Sequence, residues 1–254
     1  MVCPKCQGRG LILKDDNWAE ICPCTRQEAL QKRFRTARLP REMENVSFKD
    51  FSFEYYSRHH FDENRRSYYD LARAAFEAAR EFAARVIAGK ETEGLYFTGP
   101  VGSGKTFLAC CIANAVLRAG REVLFVVVPD LLDEIRATFD GDQEVSEQEL
   151  VESARRAPLL ILDDLGAHNY SEWTRNRLYS IINYRASQQL PTVITSNISL
   201  EDLDRYVGER TRSRIFQMCR AYRLNVKDDI RYLKRIRHSL EKREASAGGK
   251  QGIF

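Results

Sequence analysis

The chain has 254 residues, of which 43% are hydrophobic and 30% charged, and its formal net charge is +4. This composition excludes a disordered polyelectrolyte, a collagen-like repeat and a membrane protein, since no apolar run approaches the roughly 18 residues that span a bilayer. The N-terminal residues lack the basic and apolar regions of a signal peptide, so we expect a cytoplasmic protein. A domain takes roughly 100–200 residues, and the length therefore allows one large domain with a small module.

Four of the seven cysteines lie in two close pairs near the N-terminus. They are Cys3, Cys6, Cys22 and Cys24. In a reducing compartment such pairs favour metal binding over disulfides, and four thiolates complete the tetrahedron around one zinc ion. Between the pairs, residues 11–14 and 18–21 have the pattern of a small hairpin. The spacing predicts a zinc ribbon over residues 1–24 that serves as a docking module; free or redox-active thiols are the alternative.

Residues 25–41 form a predicted basic linker with a net charge of +5. An aromatic stretch follows over residues 48–56. Apolar residues at helical spacing then predict a helix over residues 67–88, and we expect Gly89 to end it.

From residue 95 onwards, strand patterns alternate with helical patterns. Strands are predicted at 95–97, 123–128, 159–162 and 192–195, with a weaker fifth at 222–226, and helices near 104–118, 130–139, 146–156 and 171–188. The second and third strands are near-continuous apolar runs, as is typical of parallel strands covered on both faces. The alternation predicts an α/β fold with a five-stranded parallel sheet.

A glycine-rich motif follows the first of these strands and opens the next helix. It has the form Gly-x4-Gly-Lys-Thr and consists of Gly99, Pro100, Val101, Gly102, Ser103, Gly104, Lys105 and Thr106. Its glycines allow backbone N–H groups to approach phosphates, and the helix N-terminus adds a favourable dipole. We expect Lys105 to reach the β- and γ-phosphates and Thr106 to place its hydroxyl on magnesium. The motif therefore predicts a nucleotide site.

Polar residues end two further predicted strands. In such sheets ligands bind at the carboxyl ends of the strands. We expect Asp163 to hold hydrated magnesium and Asp164 to orient and polarise the attacking water. Asn197, which ends the next strand, is placed to sit between the γ-phosphate and that water. Ordinary turns are the alternative for both segments.

The segment 208–216 is dense in arginine. Phosphoryl transfer gains from an arginine delivered to the γ-phosphate, often from another subunit, but a solvated helix face explains the segment equally well. Arg231, which follows two aspartates, is either a second phosphate sensor or a plain surface charge.

In the order of these motifs the chain resembles the AAA+ ATPases, and among them the DnaC/DnaI-type helicase loaders and their IstB-like relatives. The resemblance is carried by residues 96–106, 162–166, 195–197 and 203–214, and it covers residues 42–231. It implies that Asn197 is sensor one and that Arg231 is the sensor-two arginine. It also implies that Arg214 is the arginine finger, with Arg210 as the runner-up.

The resemblance further implies an ATP- and magnesium-dependent loader of a replicative helicase, which assembles with copies of itself and binds single-stranded DNA. Most AAA+ proteins have Glu where this chain has Asp164, so we expect slow turnover that DNA or a partner stimulates. Only 23 residues follow Arg231, so we expect the ATPase domain, 42–231, to lack a C-terminal helical lid and to end in a basic tail, 232–254. A transposase helper of the IstB type and a nucleotide-switched adaptor with negligible turnover are the alternatives.

The net charge is unevenly distributed along the chain. The linker 25–41 and the tail 231–254 each carry +5, whereas residues 42–230 carry −6. We expect salt-sensitive DNA or partner contacts in the two basic arms. On the predicted 171–188 helix, Arg175, Arg177 and Arg185 are candidates for phosphate contacts, with Trp173 or a tyrosine stacking on bases; a solvated face is the alternative.

Overall fold

The computed structural model describes Cys6 and residues 11–15, 18–22, 37–137, 147–167 and 170–248. Near the N-terminus, strands β1 (Leu11–Asp15) and β2 (Trp18–Ile21) form an antiparallel hairpin in which Leu11 lies opposite Ile21. This confirms the hairpin predicted between the two cysteine pairs.

The main sheet has five parallel strands. They are β3 (Gly94–Thr98), β4 (Leu124–Val127), β5 (Leu160–Asp163), β6 (Thr192–Ser196) and β7 (Cys219–Arg223). Their order in the sheet is β4-β5-β6-β3-β7. The predicted α/β fold with a five-stranded parallel sheet is thereby confirmed. Strand β6 separates the strand that leads into the glycine-rich loop from the strand that ends in Asp163.

Helices cover both faces of this sheet. They are α1 (Tyr68–Ile87), α2 (Lys105–Arg118), α3 (Val128–Ala137), α4 (Glu147–Arg156), α5 (Glu172–Ser187), α6 (Asp204–Val207), α7 (Glu209–Met218) and α8 (Ile230–Gly248). Alternate residues of a strand enter opposite cores: Ile161 packs with α1 and α2, whereas Leu160 and Leu162 pack with α3, α4 and α5. None of the described helices combines the length and the apolar character that a membrane span requires.

The fifth strand begins three residues earlier than predicted. Its first residue, Cys219, pairs with Gly94, and a Cβ atom at Gly94 would lie 2.7 Å from the Cys219 sulfur. The fifth strand exists, but the predicted bounds, 222–226, are displaced because β7 is an edge strand whose first half carries the exposed residues Arg220 and Ala221. Leu224, beyond the strand, is buried and donates its N–H to the Thr98 carbonyl.

Arg185 on α5 is fully buried, so the prediction that it contacts DNA phosphates is wrong. Its guanidinium donates to five oxygen atoms, those of the carbonyls of Ala154, Arg155, Ala157 and Pro191 and of the Thr192 hydroxyl. Burial lowers the pKa of Arg185 to about 9. The side chain satisfies carbonyls at the end of α4, which have no partner within the helix.

Replacing Arg185 with alanine is expected to lower the free energy of unfolding by about 3–5 kcal/mol, because several buried carbonyls lose their donor and a cavity remains. Urea denaturation of the purified variant measures this change. Asn176→Ala, on the exposed side of the same helix, is the control and should alter stability by less than about 0.5 kcal/mol. A loss below about 1 kcal/mol for the arginine variant would contradict the role given to Arg185.

Candidate nucleotide-binding site

The glycine-rich loop joins the end of β3 to the start of α2, and Gly102 and Gly104 are among the positions where it requires glycine. Gly102 and Gly104 have φ angles of 72° and 92°, in the region that side chains disfavour. A Cβ atom at Gly104 would lie 2.7 Å from the Tyr56 hydroxyl, and one at Gly102 would overlap the Asp229 carboxylate. The loop is therefore a close-fitting cradle of backbone, as phosphate binding requires.

Lys105, the first residue of α2, lies over this loop. Its Nζ donates to the carbonyls of Gly99 and Pro100, at 2.9 and 2.8 Å, and the residue is only 6% exposed. Burial lowers the pKa of Lys105 to about 8, although Asp164 and Asp163 nearby favour its charged form. Phosphate groups at this position would favour the charged form further.

The lowered pKa of Lys105 predicts that the protein takes up protons when nucleotide binds. At pH 8, Lys105 is about half protonated, so nucleotide binding that raises its pKa should take up about half a proton. The affinity should correspondingly fall as the pH rises through 8. Calorimetric titration with ATP and saturating Mg²⁺, which keeps the terminal phosphate deprotonated, in two buffers of different ionisation enthalpy measures the uptake, which should vanish near pH 6.5, where the lysine is charged in both states. Equal proton uptake at the two pH values would argue against this coupling.

Asp163, the last residue of β5, accepts two hydroxyl groups on one carboxylate oxygen. Thr106 donates at 2.9 Å and Thr195 at 2.6 Å. Burial raises the pKa of Asp163, and these two hydrogen bonds oppose the rise. The Thr106 hydroxyl and the Asp163 carboxylate are thus adjacent, as their predicted shared role requires. Both are oxygen ligands of the kind that Mg²⁺ prefers, so these residues fit the ion.

Asp164 and Asn197 also meet at this edge of the sheet. The Asn197 amide donates to Asp164 Oδ1 at 3.0 Å, and the Asp164 backbone N–H donates to the Thr195 hydroxyl at 2.9 Å. Asp164 has a φ of 59°, which is uncommon for a residue other than glycine, although aspartate tolerates it. The Asn197 amide therefore orients the second carboxylate, and the Thr195 hydroxyl on β6 fixes the backbone that carries it.

A cavity of about 580 Å³ is lined by Lys105, Thr106, Asp163, Asp164 and Asn197, and this volume is typical of a small-molecule site. One wall was not predicted as part of the site. It is apolar and comes from the segment before α1 and from the start of α8: Met43, Val46, Phe51, Tyr55 and Ile230. The aromatic stretch at 48–56 was the available sequence signal, but only the folded chain brings it to the loop.

Two polar side chains, Tyr56 and Asn114, fix this wall to the loop and to α2. The Tyr56 hydroxyl donates to the Ser103 carbonyl at 2.8 Å. The Asn114 amide donates to the carbonyls of Met43 and Val46, at 2.7 and 2.9 Å. The predicted nucleotide loop is consequently bordered by a fixed apolar surface suited to a flat ring system.

The predicted arginines lie in different places. Arg231, in the first turn of α8, lines the same cavity within the same chain. Arg214 is half-buried on α7, where it donates to the Gln217 side chain at 2.9 Å, and Arg210 is exposed on that helix. Neither of these two lines the cavity. Among the described residues, none on α7 lines this cavity.

The predicted zinc ligands lie partly outside the described residues, since Cys3 and Cys24 are not among them. Cys6 and Cys22 are buried. Because Leu11 lies opposite Ile21, the segments that carry the two cysteine pairs leave the hairpin at the same end. Within the described part of the chain, no three histidine, cysteine or acidic side chains form a metal-binding group.

The strand order, the phosphate loop and the two aspartates across β6 define a P-loop NTPase of the AAA+ class. Residues 24–217 match the family model described as IstB-like ATP binding protein, and the chain belongs to this family.

Several curated relatives of this chain are named replicative helicase loaders. The replicative helicase loader DnaC of Buchnera aphidicola subsp. Baizongia pistaciae is 31% identical over 54% of this chain and 55% of its own length. The replicative helicase loader DnaI of Bacillus subtilis is 31% identical over 51% of this chain and 41% of its own. The chain thus spans about half the length of the curated relatives it matches.

A crystal structure of DnaI matches with a TM-score of 0.58 and 28% identity, and the match covers 74% of this chain and 95% of that one. The fold of that DnaI structure is therefore shared by about three quarters of this chain.

Proposed function

We propose that this protein is an ATP-dependent loader of a replicative DNA helicase onto single-stranded DNA, acting in the cytoplasm. The observation that carries the proposal is the single cavity in which Lys105, Asp163 and Arg231 converge, in a chain similar to proteins named replicative helicase loaders. IstB-like membership supports ATP as the ligand.

Each residue of the cavity has a proposed role. ATP with Mg²⁺, when bound, supplies the transferable phosphoryl group and the charge that neutralises its oxygens. Lys105 holds the phosphates, and Thr106 and Asp163 hold the metal. Asp164, kept in place by Asn197, orients the attacking water, and its short carboxylate is consistent with slow turnover. Arg231 contacts the terminal phosphate within the same chain.

Arg214 is proposed to act on the site of a neighbouring copy, so that hydrolysis depends on assembly. Its position on α7, away from its own cavity, supports this role. DNA contact is proposed for the two basic arms rather than for α5. Arg175 donates to the Arg205 carbonyl and Arg177 pairs with Glu147, so both serve contacts within the protein.

Co-purification with the cognate replicative helicase tests the proposal. We expect a complex whose stability differs between ATP and ADP, and the Lys105→Ala variant should lose this nucleotide dependence. Failure to associate in either nucleotide state would overturn the proposal. ATP-dependent filaments on duplex DNA would instead identify a transposase helper, as IstB-like membership allows.

We also propose that Cys3, Cys6, Cys22 and Cys24 bind one structural zinc ion. The two segments that carry the cysteine pairs leave the β1–β2 hairpin at the same end, and this supports the arrangement. Native mass spectrometry should find one zinc ion per chain, and Cys6→Ser should lose it, because three thiolates bind zinc less tightly than four. Cys219→Ser, far along the sequence, is the matched control. A zinc-free native chain would contradict the site.

A further inference from the structure

Asp229, the residue before α8, is fixed against the phosphate loop. Its carboxylate occupies the space that a side chain at Gly102 would need. The next N–H, that of Ile230, donates to the Gly102 carbonyl at 3.1 Å, and the Asp229 carbonyl accepts the N–H of Leu233. The start of α8 is therefore attached to the loop by the hydrogen bond from Ile230 and by the close packing of Asp229 against Gly102.

The same carboxylate holds Arg231. It accepts the Arg231 backbone N–H at 2.8 Å, Nε at 3.3 Å and Nη2 at 3.0 Å. A guanidinium has five N–H groups in a planar fork, and this side-on pairing uses the Nε edge. Nη1 therefore points away from Asp229. The Arg231 side chain is 70% exposed, so the carboxylate restricts a long side chain that solvent would otherwise leave mobile.

We propose that Asp229 is a positioning residue, which fixes Arg231 beside the phosphate loop so that it recognises the terminal phosphate of ATP. The inference rests on the proposed function, since it takes the cavity to be an ATP site. Holding a flexible cation in its binding orientation reduces the entropy lost when the ligand arrives. ADP has no terminal phosphate, so Asp229 should set the preference for ATP over ADP rather than nucleotide affinity in general.

The alternative, in which Asp229 weakens ATP binding, predicts a different result. If Asp229 competed with phosphate for the guanidinium, its removal would release Arg231 and strengthen ATP binding. The two possibilities therefore predict changes of opposite sign in the ATP preference, and one substitution distinguishes them.

The test uses the full chain, with Mg²⁺ and fluorescent N-methylanthraniloyl derivatives of ATP and ADP as probes. Asp229→Asn keeps the shape and removes the charge, and Asp228→Asn is the matched control because this neighbour is exposed. We expect Asp229→Asn to lower the ratio of ATP to ADP affinity about three- to tenfold, with ADP affinity within about twofold of the unaltered chain. Asp228→Asn should leave the ratio unchanged.

A double-mutant cycle tests the route through the arginine. Arg231→Ala should lower the ratio, and adding Asp229→Asn to it should have no further effect on the ratio. An unchanged or increased ratio in Asp229→Asn, or an equal loss in the Arg231→Ala background, would overturn the inference while leaving nucleotide binding intact. If the unaltered chain bound neither probe, the proposed function itself would fail, and with it this role of Asp229.

Discussion

Lys105→Ala is expected to weaken ATP binding about a hundredfold or more. ATP binding should then be undetectable at micromolar nucleotide concentrations. Among the described residues, three basic side chains line the cavity, and of these Lys105 is buried whereas Arg231 and Lys234 are exposed. A charge shielded from water contributes more to phosphate binding than an exposed one. Isothermal titration with ATP and magnesium measures the loss.

The control for this prediction is Lys90→Ala, which removes an exposed lysine outside the cavity. It should bind ATP like the unaltered chain. Circular dichroism and the unfolding midpoint should show that the Lys105 variant keeps its fold. Near-normal ATP affinity in a folded Lys105→Ala protein would refute the assignment of the phosphate loop.

Arg214→Ala should have the second large effect, and on hydrolysis rather than on binding. Because Arg214 lies outside its own cavity, ATP affinity should stay within about threefold. Turnover in the assembled state should fall about 10³- to 10⁵-fold, the range known for arginines delivered to the transferred phosphate in other NTPases. A phosphate-release assay with saturating ATP, DNA and partner measures it.

Mixing variants tests whether the arginine acts between copies. Asp164→Asn should bind ATP and assemble without hydrolysing it, yet it retains Arg214. Added to Arg214→Ala, it should therefore restore part of the lost turnover. Arg210→Ala, on the same helix, is the matched control and should hydrolyse ATP normally. Normal turnover by Arg214→Ala, with loss in Arg210→Ala, would transfer the role to Arg210.

The polar half of the site could be predicted because it depends on local pattern and one general rule. Apolar runs identified the strands that precede Gly99, Asp163 and Asn197, and parallel strands bring their carboxyl ends to one edge of a sheet. The order of the strands in the sheet was not predicted, since it depends on contacts between distant segments.

The apolar wall of the site and its contacts with the start of α8 could not be predicted, because they also depend on contacts between distant segments. Asp229 meets Gly102 across more than a hundred residues, and no periodicity near either residue indicates it. Arg185 shows the related difficulty for a single side chain. Arginine is usually exposed, and its burial here depends on carbonyls from separate segments that only the fold brings together.

The measurement that tests the loader assignment most directly is helicase deposition on circular single-stranded DNA covered with single-strand-binding protein. DNA-bound helicase is counted after gel filtration, with and without this protein. The assignment predicts that the unaltered chain with ATP transfers the cognate replicative helicase to the DNA, and that Lys105→Ala does not. Equal deposition without the protein, or with Lys105→Ala in its place, would contradict it.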